Sequence, residues 1–155
     1  MQRAAPAPSV DTLRQLFRSA GLSLTHQRLV LYRAVLAMRN HPSPEAVYEQ
    51  VRGELPSLSL GTVYKNIRAF LEAGLLREVS PHHGTLRLES NLAEHHHLVC
   101  TRCKAIVDLE ESDVEPVRLR RRLPRGFRLH RYSVEFHGLC AACAKSIESS
   151  RLMDR

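Results

Sequence analysis

The sequence predicts an α+β chain in two parts, a winged helix-turn-helix over residues 1–90 and a small α/β unit over residues 91–155. Three observations predict it. In the first part four capped helical segments precede two short strand-like segments, the order of a helix-turn-helix with a β-hairpin wing. In the second part strand-like and helical segments surround two Cys-x-x-Cys pairs. A chain of 155 residues with 43% hydrophobic side chains is globular, of a size for one domain or two small ones.

After a short Ala/Pro leader, Asp11–Ala20 reads as a helix with Leu13, Leu16 and Phe17 at helical spacing and Gly21 ending it. Thr25 reads as the cap of a second helix whose Leu29, Tyr32 and Leu36 share a face. Asn40-His41-Pro42 stops that helix. Ser43-Pro44, a cap followed by proline at the first helical position, opens a third helix to about Arg52, and Pro56 follows it. Ser59 caps the most regular helix, with Val63, Ile67, Phe70 and Leu71 on one stripe and Gly74 after it. Leu75–Val79 and Thr85–Glu89 read as short strands around Pro81-His82-His83-Gly84, and a boundary is expected near Ser90–Ala93. Beyond it, strands are expected at about His96–Val99, Ala105–Leu109 and Arg128–Phe136. A helix at Ser112–Arg122 lies between the last two, and another starts at Ala141.

Basic residues exceed acidic ones by 23 to 16, which favours polyanionic partners. Residues 1–90 carry 11 basic and 7 acidic side chains and residues 91–155 carry 12 and 9, with a dense patch at Arg118, Arg120, Arg121, Arg122, Arg125, Arg128 and Arg131. No stretch approaches the roughly 18 apolar residues of a membrane span. Met1–Pro8 lacks the charged start and apolar run of a secretory signal, so a cytoplasmic chain is expected.

In such a chain, Cys100-x-x-Cys103 and Cys140-x-x-Cys143 read as metal ligands before disulfides. A two-residue gap lets both sulfurs of a pair converge on one ion. Two pairs fill a zinc tetrahedron and leave no position for a reacting water, so the site is structural. The competing readings are a redox dithiol and buried unbonded cysteines.

His95, His96 and His97 precede the first pair. Strand side chains alternate, so His95 and His97 share one face while His96 points to the other. With Glu89 before them and Asp108 on a neighbouring strand they make a mixed N/O site, suited to Fe(II), Mn(II) or Zn(II). His41 is a further ligand candidate from the helical part. The plainer alternative is a solvated run of histidines.

The helix opened by Ser59 offers Tyr64, Lys65, Asn66 and Arg68, residue types that contact base edges and phosphates from a major groove. A plain amphipathic helix would look the same; the expected wing and the basic balance favour DNA.

These residues together resemble the ferric uptake regulator (Fur) superfamily. The resemblance lies in Thr25-His26-Gln27-Arg28, His41-Pro42, Ser59-Leu60-Gly61-Thr62-Val63-Tyr64, His95-His96-His97-Leu98-Val99-Cys100 and Cys140-Ala141-Ala142-Cys143, in the family's order from about residue 11 to 147. It implies a winged-helix DNA-binding domain over 1–90 and a dimerisation and zinc-binding domain over 91–155. It also implies structural zinc on Cys100, Cys103, Cys140 and Cys143, and a regulatory metal on His41, Glu89, His95, His97 and Asp108. DNA contacts are expected from Arg28, Ser59, Thr62, Tyr64, Lys65, Asn66 and Arg68. A third metal site of the family would fall on Glu94, His96, Glu115 and position 132. There the family's His is replaced by Tyr132, and His130 is the candidate substitute.

Asp108 is similar to the peroxide-sensing (PerR-like) branch, since iron-sensing members more often place Glu there, whereas Glu89 leans the other way, since peroxide sensors often carry Asp at that position. Two other departures are His26, where Pro is usual and a looser helix start is expected, and Lys104, where Gly is usual next to the zinc. The resemblance implies a homodimeric, metal-dependent repressor of double-stranded operator DNA. In the peroxide branch, Fe(II) would react with peroxide, His41 or His95 would be oxidised and DNA released, while Mn(II) would repress without reacting. The alternative is a repressor sensing Fe(II), Mn(II) or Zn(II) availability. A zinc hydrolase or deaminase needs an open metal position beside a general base, and a deaminase a Pro-Cys-x-x-Cys; neither Cys pair here follows a proline. A zinc-stapled interaction module would explain the cysteines but not the winged helix.

Overall fold

A computed structural model describes residues 8–38, 40–79 and 86–153. The leader through Ala7 and the expected turn at Pro81-His82-His83-Gly84 lie outside the described residues. The chain divides into two compact units, Met1–Leu92 and Ala93–Arg155.

The first unit holds helices α1 (Val10–Ser19), α2 (His26–Ala37), α3 (Pro44–Val51) and α4 (Leu60–Glu72), then strands β1 (Arg77–Val79) and β2 (Arg87–Glu89). Each helix opens on a hydroxyl cap. Ser9, Thr25, Ser43 and Ser59 accept from the amides of Thr12, Arg28, Ala46 and Thr62, satisfying donors that the helix leaves unpaired. The cap at Thr25 forms with His26 at the first helical position, so the helix start is not lost there. Gly21 and Gly74 follow the ends of α1 and α4 at φ +71° and +69°, a conformation that costs a residue with a Cβ about 1 kcal/mol or more.

One face of each helix is buried: Leu13 and Phe17 from α1, Val30, Leu31, Tyr32 and Val35 from α2, Val47 and Val51 from α3, and Val63, Ile67 and Phe70 from α4. Phe17, Tyr32 and Phe70 meet edge-to-face with centroids 5.2–5.5 Å apart. The Tyr32 hydroxyl donates to the Leu75 carbonyl at 3.2 Å, so the ring is buried with its polar end satisfied. Leu16, expected on the buried face of α1, is exposed. Strands β1 and β2 pair antiparallel, Glu78 opposite Leu88, and both are shorter than their sequence pattern predicts.

The second unit holds β3 (His95–Cys100), β4 (Ile106–Glu110), a single 3₁₀ turn (Glu111–Asp113), β5 (Glu135–Gly138) and α5 (Ala141–Met153). The sheet order is β4-β3-β5, with β4 antiparallel and β5 parallel to β3. The helix expected at Ser112–Arg122 is absent: after the 3₁₀ turn, residues 114–134 form neither helix nor strand. Pro116 removes a helical hydrogen bond, and Arg118 would sit at i,i+3 and i,i+4 from Arg121 and Arg122, which repel. The third strand is correspondingly short, beginning at Glu135 rather than near Arg128.

The two units differ in their cores. The hydrophobic cluster lies wholly within the first. Among the described residues only Val99, Cys100 and Ile106 are buried apolar side chains beyond Leu92. Leu98, Val107 and Phe136 are exposed in register across β3, β4 and β5. A unit this poor in core needs a staple or a partner surface to hold its fold.

Candidate metal centres and nucleic-acid face

The staple is the cysteine cluster. Cys100 ends β3, Cys103 lies in the turn before β4, Cys140 precedes α5, and Cys143 sits in its first turn. Their four sulfurs lie within 4.8 Å of one another. A zinc tetrahedron with Zn–S near 2.3 Å demands sulfurs about 3.8 Å apart, and Cys103 Sγ stands 3.7 Å from Cys140 Sγ. The cluster fits zinc.

The amide of Cys140 donates to Cys100 Sγ at 3.4 Å. That bond, with others from the Cys103 and Arg102 amides, lowers the Cys100 thiol to about 6. Hydrogen bonding to Cys140, with desolvation, pushes the Cys143 thiol up to about 12. Four crowded sulfurs thus resist joint ionisation, and a cation that favours every thiolate relieves the conflict.

Lys104 follows the second cysteine at φ +61°, and its amide donates to the Cys100 carbonyl at 3.0 Å. This left-handed position explains why glycine suits it. Lys104→Gly is expected to stabilise the zinc-bound unit by about 0.5–1 kcal/mol, the left-handed penalty less glycine's entropy. Thermal unfolding of the zinc form is the measurement, and an unchanged or lower midpoint would contradict it.

The mixed N/O ligands form two sets, one in each unit. In the first, Asn40 and His41 adopt φ +95° and +53° ahead of Pro42. The Leu88 amide donates to the Pro42 carbonyl at 3.0 Å, and Arg87 donates to the His41 carbonyl, fastening this turn to β2. The result places His41 Nε2 2.6 Å from Glu89 Oε2, with both side chains buried. Glu89 also accepts from the amide of Asn91. Holding a histidine in the left-handed region costs on the order of 1–3 kcal/mol, a cost that recurs at functional sites.

In the second unit, His95 and His97 share one face of β3 with rings 4.7 Å apart, and their Nε2 atoms lie 3.9 and 3.8 Å from Asp108 Oδ1. Register places Asp108 directly opposite His97. His95 Nδ1 donates to the Ala93 carbonyl at 2.9 Å. A carbonyl only accepts, so Nδ1 is the donor here and Nε2 is the atom turned toward Asp108, the orientation of a metal ligand held by its outer partner. Each set mixes imidazole with carboxylate, and these donors suit Fe(II) or Mn(II).

Glu94, His96, Glu115 and His130 do not gather into a group of metal donors among the described residues. His96 is buried, accepts from the Val134 amide through Nδ1 at 3.3 Å, and lies against the Tyr132 ring at 5.7 Å. Tyr132 therefore packs on His96 where the family pattern has a ligand. His130 and Glu115 are exposed.

On α4, Tyr64, Lys65 and Arg68 are exposed, and with Leu71, Glu78 and Leu86 they line an open groove of about 590 Å³ between the helix and the paired strands. Tyr64 donates to Glu45 of α3, and Arg68 pairs with Glu72 at 2.9 Å. Arg28 Nε donates to Asn66 Oδ1 at 3.2 Å, while its Nη1 donates to the Ser23 carbonyl at 2.8 Å. Arg28 and Asn66 thus bracket α2 to α4, a placement that sequence reasoning missed. Ser59 and Thr62 share the cap of α4, their hydroxyls 2.9 Å apart.

The comparisons with known proteins agree with this architecture. The model of the Ferric uptake regulator family matches residues 19–137. The peroxide operon regulator of Bacillus subtilis is 28% identical over 137 residues, covering 88% of this chain and 92% of that protein. Among solved structures, the Campylobacter jejuni peroxide stress regulator is 25% identical with a TM-score of 0.60, over 88% of this chain and 99% of that one. The Helicobacter pylori ferric uptake regulator, 18% identical, superposes with a TM-score of 0.68 over 93% and 97% and shows the shared fold. No helix among the described residues is long and apolar enough to cross a membrane. With a family match over most of its length, the chain belongs to the Ferric uptake regulator family, whose members are metal-dependent transcription regulators and not enzymes.

Proposed function

We propose that the protein is a cytoplasmic, homodimeric repressor of operator DNA, with zinc as its structural metal and Fe(II) or Mn(II) as its regulatory metal. In this reading His41 and Glu89 join His95, His97 and Asp108 on one ion. The observation that carries it is the pair of imidazole–carboxylate sets, buried except for the exposed Asp108, one on each side of the boundary at Leu92. An ion held by both sets couples the DNA-binding unit to the other unit, and coupling of this kind is typically worth 5–150-fold in affinity. Arg28 and Asn66 hold the recognition helix in place, while Ser59, Thr62, Tyr64, Lys65 and Arg68 present its DNA-facing groups. The exposed row Val107, Leu98 and Phe136 supports a second copy as the dimer partner, since an apolar face of this kind marks an interaction surface.

The peroxide-responsive form of this reading is favoured by Asp108 and by the similarity to the Bacillus subtilis peroxide operon regulator. Held by these residues, Fe(II) would supply the electron for splitting a peroxide O–O bond, whereas Mn(II) would supply equal charge without that reaction. His41 and His95 are the imidazoles proposed as oxidation targets; adding oxygen to either ring removes a ligand from one set and uncouples the units. Glu89, where peroxide sensors often carry Asp, favours a second reading in which only metal availability is sensed.

DNA binding with Fe(II) and with Mn(II), each with and without peroxide, separates the two. Loss is expected only with Fe(II) plus peroxide, accompanied by one oxygen atom added to the peptide containing His41 or His95. Unchanged binding in that sample sinks peroxide sensing and leaves the second reading.

A further inference from the structure

From Pro116 to Val134 the chain has seven arginines and no acidic residue. Subtracting these seven from its 23 basic residues leaves 16, equal to its 16 acidic residues, so this one segment accounts for the whole positive excess. The segment is exposed almost throughout, and none of its arginines makes an ion pair among the described residues. Its two ends are joined. The Val117 amide donates to the Tyr132 hydroxyl at 3.3 Å, and the Tyr132 ring lies against buried His96. Within the loop, Gly126 at φ +84° and the Phe127 amide bonded to the Pro124 carbonyl make a tight turn. Residues 117–132 are thus a closed surface loop of the Ω type, fastened at its neck to β3.

Guanidinium groups held without carboxylate partners on a closed loop match a row of phosphates, which they bind in a bidentate, sequence-independent way. We propose that this arginine loop is a second DNA-binding surface that grips the phosphate backbone and adds affinity without sequence preference. Tyr132 acts in it as the clasp. The proposal rests on the reading of the protein as a DNA-binding repressor, and it adds a surface which the recognition helix does not supply.

The test uses the full-length, zinc- and Mn(II)-loaded protein and two duplexes, one of random sequence and one enriched by selection for tight binding. Affinity is measured against salt concentration for wild type, for a variant with Arg118, Arg120, Arg121 and Arg122 all changed to Gln, and for the same four changed to Lys. Each phosphate neutralised contributes about 0.9 to the slope of log affinity against log salt, so the Gln variant is expected to lose roughly 2–4 from its magnitude on both duplexes. The preference for the selected duplex should stay as in wild type, and the Lys variant should recover the slope, since the slope counts charges. A Gln variant with the wild-type slope overturns the proposal, as does a Lys variant that fails to recover it. Loss of the dimer in sedimentation by the Gln variant also overturns it, because the loop would then serve a second copy. If wild type shows no preference for any selected duplex with or without Mn(II), the repressor reading fails, while the random-duplex slopes still decide the loop.

Discussion

Cys100→Ser is expected to strip the zinc from the protein and to abolish the proposed dimer with it. The second unit buries only Val99, Cys100 and Ile106 as apolar side chains among the described residues, too little to hold a fold unaided. Its four sulfurs tie the end of β3 and the turn before β4 to the start of α5. Structural zinc in small units contributes roughly 10–16 kcal/mol of apparent binding energy, and most of it is folding energy. Serine keeps the shape of Cys100 but replaces a thiolate by a poor zinc ligand. Metal analysis should find less than one zinc per chain, and sedimentation should find monomer. A dimer that persists without zinc would show that the apolar face of the sheet, not the cysteine cluster, holds the second unit together.

His95→Ala is expected to do the opposite: zinc and the proposed dimer stay, while the metal dependence of DNA binding disappears. His95 lies on the sheet face shared with His97, remote in role from the sulfurs, and its Nδ1 is occupied by the Ala93 carbonyl. Removing it takes one imidazole from the proposed regulatory ion and leaves the strand pairing intact. Operator affinity in Mn(II) should fall to the metal-free level, a change on the order of 5–150-fold for typical coupling energies. Metal analysis run beside the binding assay should show zinc unchanged and manganese lost. A variant that still tightens on DNA with added Mn(II) would remove His95 from the regulatory set.

These two variants differ in effect because the two metal centres were legible to different degrees. The cysteine cluster follows from spacing alone: each Cys-x-x-Cys is a local turn whose sulfurs converge on one ion. The pairing of His95 with His97 follows from the period of a strand, and register then brings Asp108 opposite His97. The contact of His41 with Glu89 spans 48 positions and depends on a left-handed turn fastened to β2, which no local pattern announces. Residue type alone made His41 a further candidate, and the resemblance to a family placed it firmly in the ligand set. Tyr132 shows the converse. As a departure from the family's ligand pattern it left His130 as the candidate substitute, yet the fold packs its ring on His96 and uses its hydroxyl to close the arginine loop.

The sequence by itself determined what depends on neighbours a few residues apart: the four capped helices, the buried Val63, Ile67 and Phe70 of α4, the cysteine turns and the alternation along β3, whereas in α2 the buried face falls on Val30, Leu31, Tyr32 and Val35 rather than on Leu29 and Leu36. A hydroxyl cap, a 3.6-residue period and a two-residue cysteine gap are each complete within one turn or strand. Tertiary structure decided what depends on distant partners. It set the parallel pairing of β5 with β3, the bracket of Arg28 on Asn66 and the contact of His41 with Glu89. In each case the local preference was weak or frustrated, and a contact from another part of the chain settled the conformation.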